Sequence, residues 1–219
     1  MKKKIIYGIL ILIIIAGAIV AGTIKFKKGT IYSNNIKIDI YLGKTFENED
    51  IKKIAQEVFE TNNIIVKKIE YYEDMFSIIL KQEDVENINE KVEQLNTKIN
   101  EKYEIENSVE DINVVYQPAV RLRTLVIPYI LPTAISISII LIYALIRFRK
   151  LGIIKTLITY ILSIILSQAL YLSIIAIARI PVNRLIVPIG LIIYVAVITA
   201  ITMLKERKLA KYKLEKEQK

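Results

Sequence analysis

The chain of 219 residues has no cysteine, no histidine and no tryptophan. Without cysteine no disulfide can staple any part of it and no thiolate can act as a nucleophile. Without histidine no imidazole is available as a base near neutral pH, and the two absences together exclude a Cys/His zinc site. A further scarcity is one of position. Of 22 Asp and Glu, 19 lie between positions 39 and 111, and none lies between positions 112 and 205.

That acid-free stretch holds three long apolar runs, and a fourth stands near the N-terminus. A bilayer core of about 30 Å takes about 20 apolar residues in helical form. Residues 5–22, about 127–146, 153–178 and 185–204 are therefore expected to span a membrane. The polar side chains within these runs are mostly Ser, Thr and Tyr, whose hydroxyls can bond a backbone carbonyl one turn back or a neighbouring helix. Gln168 is the most polar group at depth, and it is expected to face another helix and make a packing hydrogen bond rather than serve transport. Pro128 and Pro132 are expected in the first turns of the second span and Pro188 early in the fourth, where a missing backbone donor is best tolerated.

The net charge of +9 conceals a segregation. Residues 29–120 carry 10 Lys/Arg against 19 Asp/Glu, a net of −9, while the remainder carries 21 against 3, a net of +18. The basic excess sits beside the apolar runs, so it reads as an orientation signal rather than as a nucleic-acid surface. With the N-terminus inside, 14 Lys/Arg near the spans fall on the cytoplasmic side and 7 on the other. Both termini are thus expected in the cytoplasm of a multi-pass protein of the cell membrane, with residues 24–123 extracytoplasmic. The first run also has the layout of a secretory signal, ending near Ala16-Gly17-Ala18. Its apolar stretch continues past that tripeptide, and an uncleaved anchor is the expectation.

Within the acidic region, residues 36–42 alternate as a half-buried strand that Gly43 ends. Asn48 is placed to cap a helix whose apolar face is Ile51, Ile54, Ala55, Val58 and Phe59, stopped by Asn62 and Asn63. Residues 64–72 and 75–80 read as a hairpin turning at Glu73-Asp74, with Tyr71 and Tyr72 as sheet residues. A second helix carries Val85, Ile88, Val92, Leu95 and Ile99 on one stripe, with Glu83, Asp84 and Glu86 at its start. Residues 112–116 form a last strand, leading through Pro118 to the second span. The order β-α-β-β-α-β is expected to fold as a ferredoxin-like domain, with both helices on one face of a four-stranded antiparallel sheet. The opposite sheet face, or the rim, is then the docking surface. Glu73-Asp74 and Glu83-Asp84-Glu86 could suggest calcium, but a turn and a helix start explain them and no Gly-bearing loop of EF-hand spacing accompanies them.

The expected organisation is an α+β membrane protein of four transmembrane helices: an anchor at 1–23, the ferredoxin-like domain at 24–123, a three-helix membrane domain at 124–204 and a basic tail at 205–219. No catalytic residue, cofactor or metal is assigned, and the chain is read as non-enzymatic.

Several strings carry a resemblance. Ile38-Asp39-Ile40-Tyr41-Leu42-Gly43 looks like I-D-F-T-G-G, and Pro118 stands where a V-G-P motif ends. Tyr143 with Arg147-Phe148 looks like Y-x-x-x-R-F, and Ile192-Ile193-Tyr194 with Thr199 is similar to I-I-G-Y-S-x-N-D-T. With the layout of spans, these resemble SecF, of the SecD/SecF protein-export family in the resistance-nodulation-division superfamily, truncated to four spans. The resemblance implies an accessory subunit of protein translocation, partnered by SecD-like or SecYEG-like subunits in the lipid bilayer and in contact with exported polypeptide. The family's second glycine is Leu42 here, its Asn-Asp pair is Val197-Ile198, and its fifth and sixth spans have no counterpart. Its proton-driven step uses membrane carboxylates, which these spans lack. Two other readings share the layout. One is a permease subunit of the FtsX/MacB type partnered with an ABC ATPase, although only residues 1–4 precede the first span. The other is a membrane-anchored envelope sensor.

The charge asymmetry gives a direct test. A reporter active only in the cytoplasm is expected to work when fused after Lys150 or Lys219 and to be silent when fused near Asn100. Silence at Lys150 would overturn the four-span arrangement.

Overall fold

The acid-free sequence forms continuous helices, as backbone in hydrocarbon must, because a helix satisfies its own N–H and C=O groups. In the computed structural model, which describes residues 2–69 and 72–217, four helices are long and apolar enough to cross a membrane. They are α1 (Lys2–Thr23), α4 (Leu122–Arg147), α5 (Ile153–Ile177) and α6 (Ile186–Glu217). The chain divides into two units, one made of Met1–Lys27 with Leu122–Lys219 and the other of Lys28–Arg121.

In the helical unit, α1 packs along α5 through an unusually close crossing. A Cβ built on Gly17 would lie 2.2 Å from Ser173 Cβ and 2.4 Å from Ser173 Cα, and the Ser173 hydroxyl donates to the Ile14 carbonyl at 3.3 Å. Small residues let two helix backbones approach this closely where lipid supplies no hydrophobic drive. Gly17, the centre of the signal-like tripeptide Ala16-Gly17-Ala18, thus provides the α1 side of the crossing.

Two expectations for the spans need revision. α4 begins at Leu122, so Pro128 and Pro132 lie inside the helix and not in its first turn. Apolar Leu122 and Leu125 extend the helix upstream of the prolines, while Arg123 stays exposed beside them. The residues expected as a separate tail after 204 continue α6 without a break as far as Glu217. They are mainly Lys, Glu, Leu and Ala, which keep helical backbone favourable beyond the apolar run.

In the other unit the elements are β1 (Asn35–Tyr41), α2 (Asn48–Phe59), β2 (Ile65–Ile69), β3 (Tyr72–Lys81), α3 (Ile88–Tyr103) and β4 (Asn113–Gln117). The strands form one sheet in the order β2-β3-β1-β4, every neighbouring pair antiparallel. Residues opposite one another in an antiparallel ladder share a face. Ile36, Ile38 and Ile40 therefore line up with Leu80, Ile78 and Phe76, and all six are buried in one core. Ile51, Ala55 and Phe59 of α2 and Val92, Leu95 and Ile99 of α3 belong to the same core, so both helices cover this face.

The ends of these elements differ from expectation in ways the local chemistry explains. Glu47, not Asn48, is the N-cap residue of α2, with extended backbone, and Asn48 begins the helix. The helix stops at Glu60, which is left-handed at φ 54, ahead of Asn62 and Asn63. Lys91 Nζ bonds the Glu60 carboxylate and the Val58 carbonyl, both at 2.8 Å, and its ammonium holds the Glu60 carboxyl below the usual range. Glu83 and Asp84 lie in a short 3-10 turn, and α3 starts only after Asn87, itself left-handed at φ 52. Glu83 pairs with Lys81 there, which competes with a place in the first helical turn. Glu73 and Asp74 belong to β3 and not to a turn, because β3 already begins at Tyr72, and Tyr71 lies outside the described residues. Glu104, at φ 50, ends α3. With only 7 glycines in the chain, acids and Asn take left-handed positions that glycine would occupy at less cost.

The helix crossing yields a sharp test. Gly17→Leu should destabilise the helical unit by at least ~1–3 kcal/mol, the range for overpacking a closed contact. Gly8→Leu, where nothing lies within 4 Å, should leave stability unchanged. Thermal unfolding of the full chain in mild detergent reads both, and equal midpoints for the two variants would refute the crossing.

Candidate functional site

The residues that carried the sequence resemblance fall into separate settings. Ile38 is fully buried in the core of the sheet unit. Asp39 is on the other sheet face, opposite Ser77 and Asn113. Gly43 turns the chain after β1 at φ 64, a left-handed position that favours glycine. Pro118 is exposed beyond the end of β4.

The sheet face away from the helices is polar at its centre. Asp39 is only 7% exposed, and its carboxylate accepts from the Ser77 hydroxyl at 2.5 Å and from Lys37 Nζ at 2.8 Å. These bonds satisfy both carboxylate oxygens, which makes the buried charge tolerable. Tyr41, Lys67, Asn113 and Val115 on the same face are exposed. The Tyr41 phenol titrates above its ordinary value because it bonds the Asp74 carboxylate and feels its charge. At one end of the face the chain folds back, so that the Ile31 and Ser33 carbonyls accept from Asn35 Nδ2 at 3.2 and 3.1 Å. The rest of the face offers aromatic and amide groups around this closed ionic centre.

In the helical unit, Tyr143, Arg147, Phe148 and Tyr194 belong to one assembly. Phe148 is fully buried and meets the Tyr143 ring edge-on, with centroids 6.5 Å apart. Phe148 and Tyr194 share a buried cluster with Ala144, Tyr160, Ile164, Ile198 and Leu209. Hydroxyls knit the helices together across this cluster: Tyr194 to Ser136 at 3.2 Å and Tyr160 to Thr202 at 2.8 Å. Arg147 holds Glu206 through two nitrogens, at 2.7 and 3.1 Å. Lys205, 6% exposed, has its Nζ 3.4 Å from the Thr156 hydroxyl. Thr199 stands apart, exposed, its hydroxyl turned back to the Val195 carbonyl at 2.9 Å. Gln168 lies higher in the unit and donates from Nε2 to the Gly190 carbonyl at 3.1 Å. Val197 is half-buried and Ile198 nearly buried, and neither can carry a proton.

Sequence reading missed Tyr160, Thr202 and Glu206 as members of this assembly. Glu206 had a signal, being the first acid after the acid-free stretch and so the first anion that Arg147 can find on α6. Among the described residues no group of three or more His, Cys, Asp or Glu could hold a metal ion. Comparison with known proteins gives no match to any family model or to any curated protein.

The two kinds of contact in the assembly should differ in weight. Phe148→Ala empties a filled site and is expected to cost on the order of 3 kcal/mol. Tyr160→Phe removes one interhelical hydrogen bond, which in membranes is worth about 0.6 kcal/mol on average. Unfolding of the two variants in detergent should show that order, and the reverse order would mean that the hydroxyl contacts hold the helices.

Proposed function

We propose that this chain is a non-enzymatic accessory subunit of protein export, similar to SecF in plan. It would sit in the cytoplasmic membrane with both termini in the cytoplasm and residues 28–121 outside. In this reading that unit is a ferredoxin-like domain. One feature of its topology supports the assignment: β1 and β2 run parallel on either side of β3, and β3 and β4 run parallel on either side of β1. Two interleaved β-α-β crossovers of this kind are what the split pattern requires.

The observation that carries the reading is the grouping of Tyr143, Arg147, Phe148 and Tyr194 around one buried cluster. These are the positions at which the sequence resembles the export family, and they hold together the end of the helical unit where α4, α5 and α6 meet. The spans themselves carry no Asp, Glu or His between positions 112 and 205. Proton relays through a bilayer use such groups, so any proton-driven step belongs to a partner, of SecD-like or SecYEG-like kind. The uncovered sheet face, with Tyr41, Lys67, Asn113 and Val115 exposed, would meet emerging polypeptide.

Purification of the full chain in mild detergent from its own membrane, with identification of stoichiometric partners, tests this. Translocase subunits are expected, and their yield should fall when Phe148→Ala loosens the cluster. Stoichiometric recovery of an ABC ATPase instead would replace the proposal with the permease reading.

A further inference from the structure

α4 is fastened to its neighbours along only half its length. Toward Arg147 it is joined to α6 by the Ser136–Tyr194 hydroxyl bond and packs through Ile137, Ile140, Leu141 and Ala144. Toward Leu122 it stands away from α5 and α6, and a cavity of about 450 Å³ opens between them. A smaller one of about 180 Å³ continues it toward Leu122, and the two share Val126, Leu172, Ile186 and Val187. Pro128 and Pro132 fall in this open half, where each removes a backbone donor from the helix.

The walls say what class of molecule fits. They are apolar apart from Tyr129, Thr133, Gln168, Tyr171 and Asn183. Three of these five already have partners. Gln168 donates to Gly190, Tyr171 donates to the Ile186 carbonyl at 2.8 Å, and Asn183 Oδ1 accepts from the Leu185 amide at 2.9 Å. Hydrocarbon suits such walls. The length of the cleft then discriminates between hydrocarbons. From Val126 to Ile137 α4 rises about 16 Å at 1.5 Å per residue. One leaflet is about 15 Å deep, half of a 30 Å core, whereas a spanning partner helix would need the full depth. The cleft is one acyl chain long.

Its mouth is basic. Arg123 follows Leu122 on α4, Arg184 follows Asn183 before α6, and both are exposed. Neither forms an ion pair or a side-chain hydrogen bond among the described residues, whereas Arg179 nearby in sequence is engaged with the Lys25 carbonyl. A guanidinium is suited to phosphate, which it can bind through two parallel N–H donors. We propose that this cleft is a lipid site, taking one acyl chain of an anionic phospholipid between α4 and α5/α6 with its phosphate against Arg123 and Arg184.

The absence of tryptophan makes the test clean, since Tyr129→Trp places a single fluorescent reporter in the cleft wall. The full chain would be reconstituted in phosphatidylcholine vesicles containing either phosphatidylglycerol or phosphatidylcholine with dibrominated acyl chains, at equal mole fraction. Bromine should quench the reporter preferentially in the phosphatidylglycerol vesicles, by about fivefold in relative binding for each arginine. Arg123→Gln with Arg184→Gln should abolish the preference. Ala134→Phe, which fills the cleft, should weaken quenching by both lipids while a reporter at the lipid-facing position 139 stays unchanged. Equal quenching by the two lipids before the arginines are changed, or a preference that survives their loss, would overturn the proposal. The unsubstituted chain gives an independent check by native mass spectrometry. A phosphatidylglycerol adduct retained over phosphatidylcholine supports the site, and loss of both adducts with equal ease defeats it.

Discussion

The helical unit depends on one contact that leaves no room for a side chain, the approach of Gly17 on α1 to Ser173 on α5. α1 and α4 are separated in sequence by the whole sheet unit, so nothing local brings α1 to the other three helices. In lipid their association cannot come from burying apolar surface, because tails are as apolar as Ile and Leu. What remains is dispersion at close range and a few polar bonds, and both require backbones to come near. Glycine at 17 and serine at 173 permit this, and the Ser173 hydroxyl adds a bond to the Ile14 carbonyl. A larger residue at either position would separate the helices and forfeit contacts along both.

The same logic accounts for the uneven hold on α4. Its Arg147 half has what a helix needs to be kept in lipid: a small residue in Ala144, hydroxyl partners, and an aromatic plug in Phe148. Its Leu122 half has two prolines, exposed Ile127, Ile130 and Leu131, and no side-chain bond to α5 or α6 among the described residues. A helix tethered at one end and free at the other leaves a wedge, and in a bilayer a wedge is filled by lipid or by protein. Unlike a cavity in a soluble core, it need not be stabilised as empty space.

Much of this was legible in the sequence because it rests on patterns of long range. Four apolar runs gave four helices, and the spacing of Ile51, Ile54, Ala55, Val58 and Phe59 gave the buried face of α2 residue for residue. The strands followed from alternation, as Ile36, Ile38 and Ile40 show. Element ends were the weak part, for a physical reason. Glu83 and Glu73-Asp74 are residue types that suit caps and turns, but they were pre-empted by an ion pair and by strand pairing that sequence spacing does not reveal, while α2 simply starts one residue earlier than a cap at Asn48 would give. The site was read only in part. Tyr143, Arg147 and Phe148 are near neighbours in the chain, whereas Tyr160, Thr202 and Glu206 reach them from other helices, a convergence set by helix rotation. Gly17 was visible only as the centre of a signal-like tripeptide, since small residues serve cleavage and close packing alike.

Charge placement follows one pattern in both units. No Asp, Glu or His lies between positions 112 and 205, and in the sheet unit the buried Asp39 is locked by Ser77 and Lys37. A carboxylate bonded on both oxygens is held in one orientation. Arg147 and Glu206 are likewise engaged with each other at the end of α4. What stays exposed is Tyr41 and Val115 on the open sheet face, Arg123 and Arg184 next in sequence to residues lining the wedge, and Ile and Leu along every span.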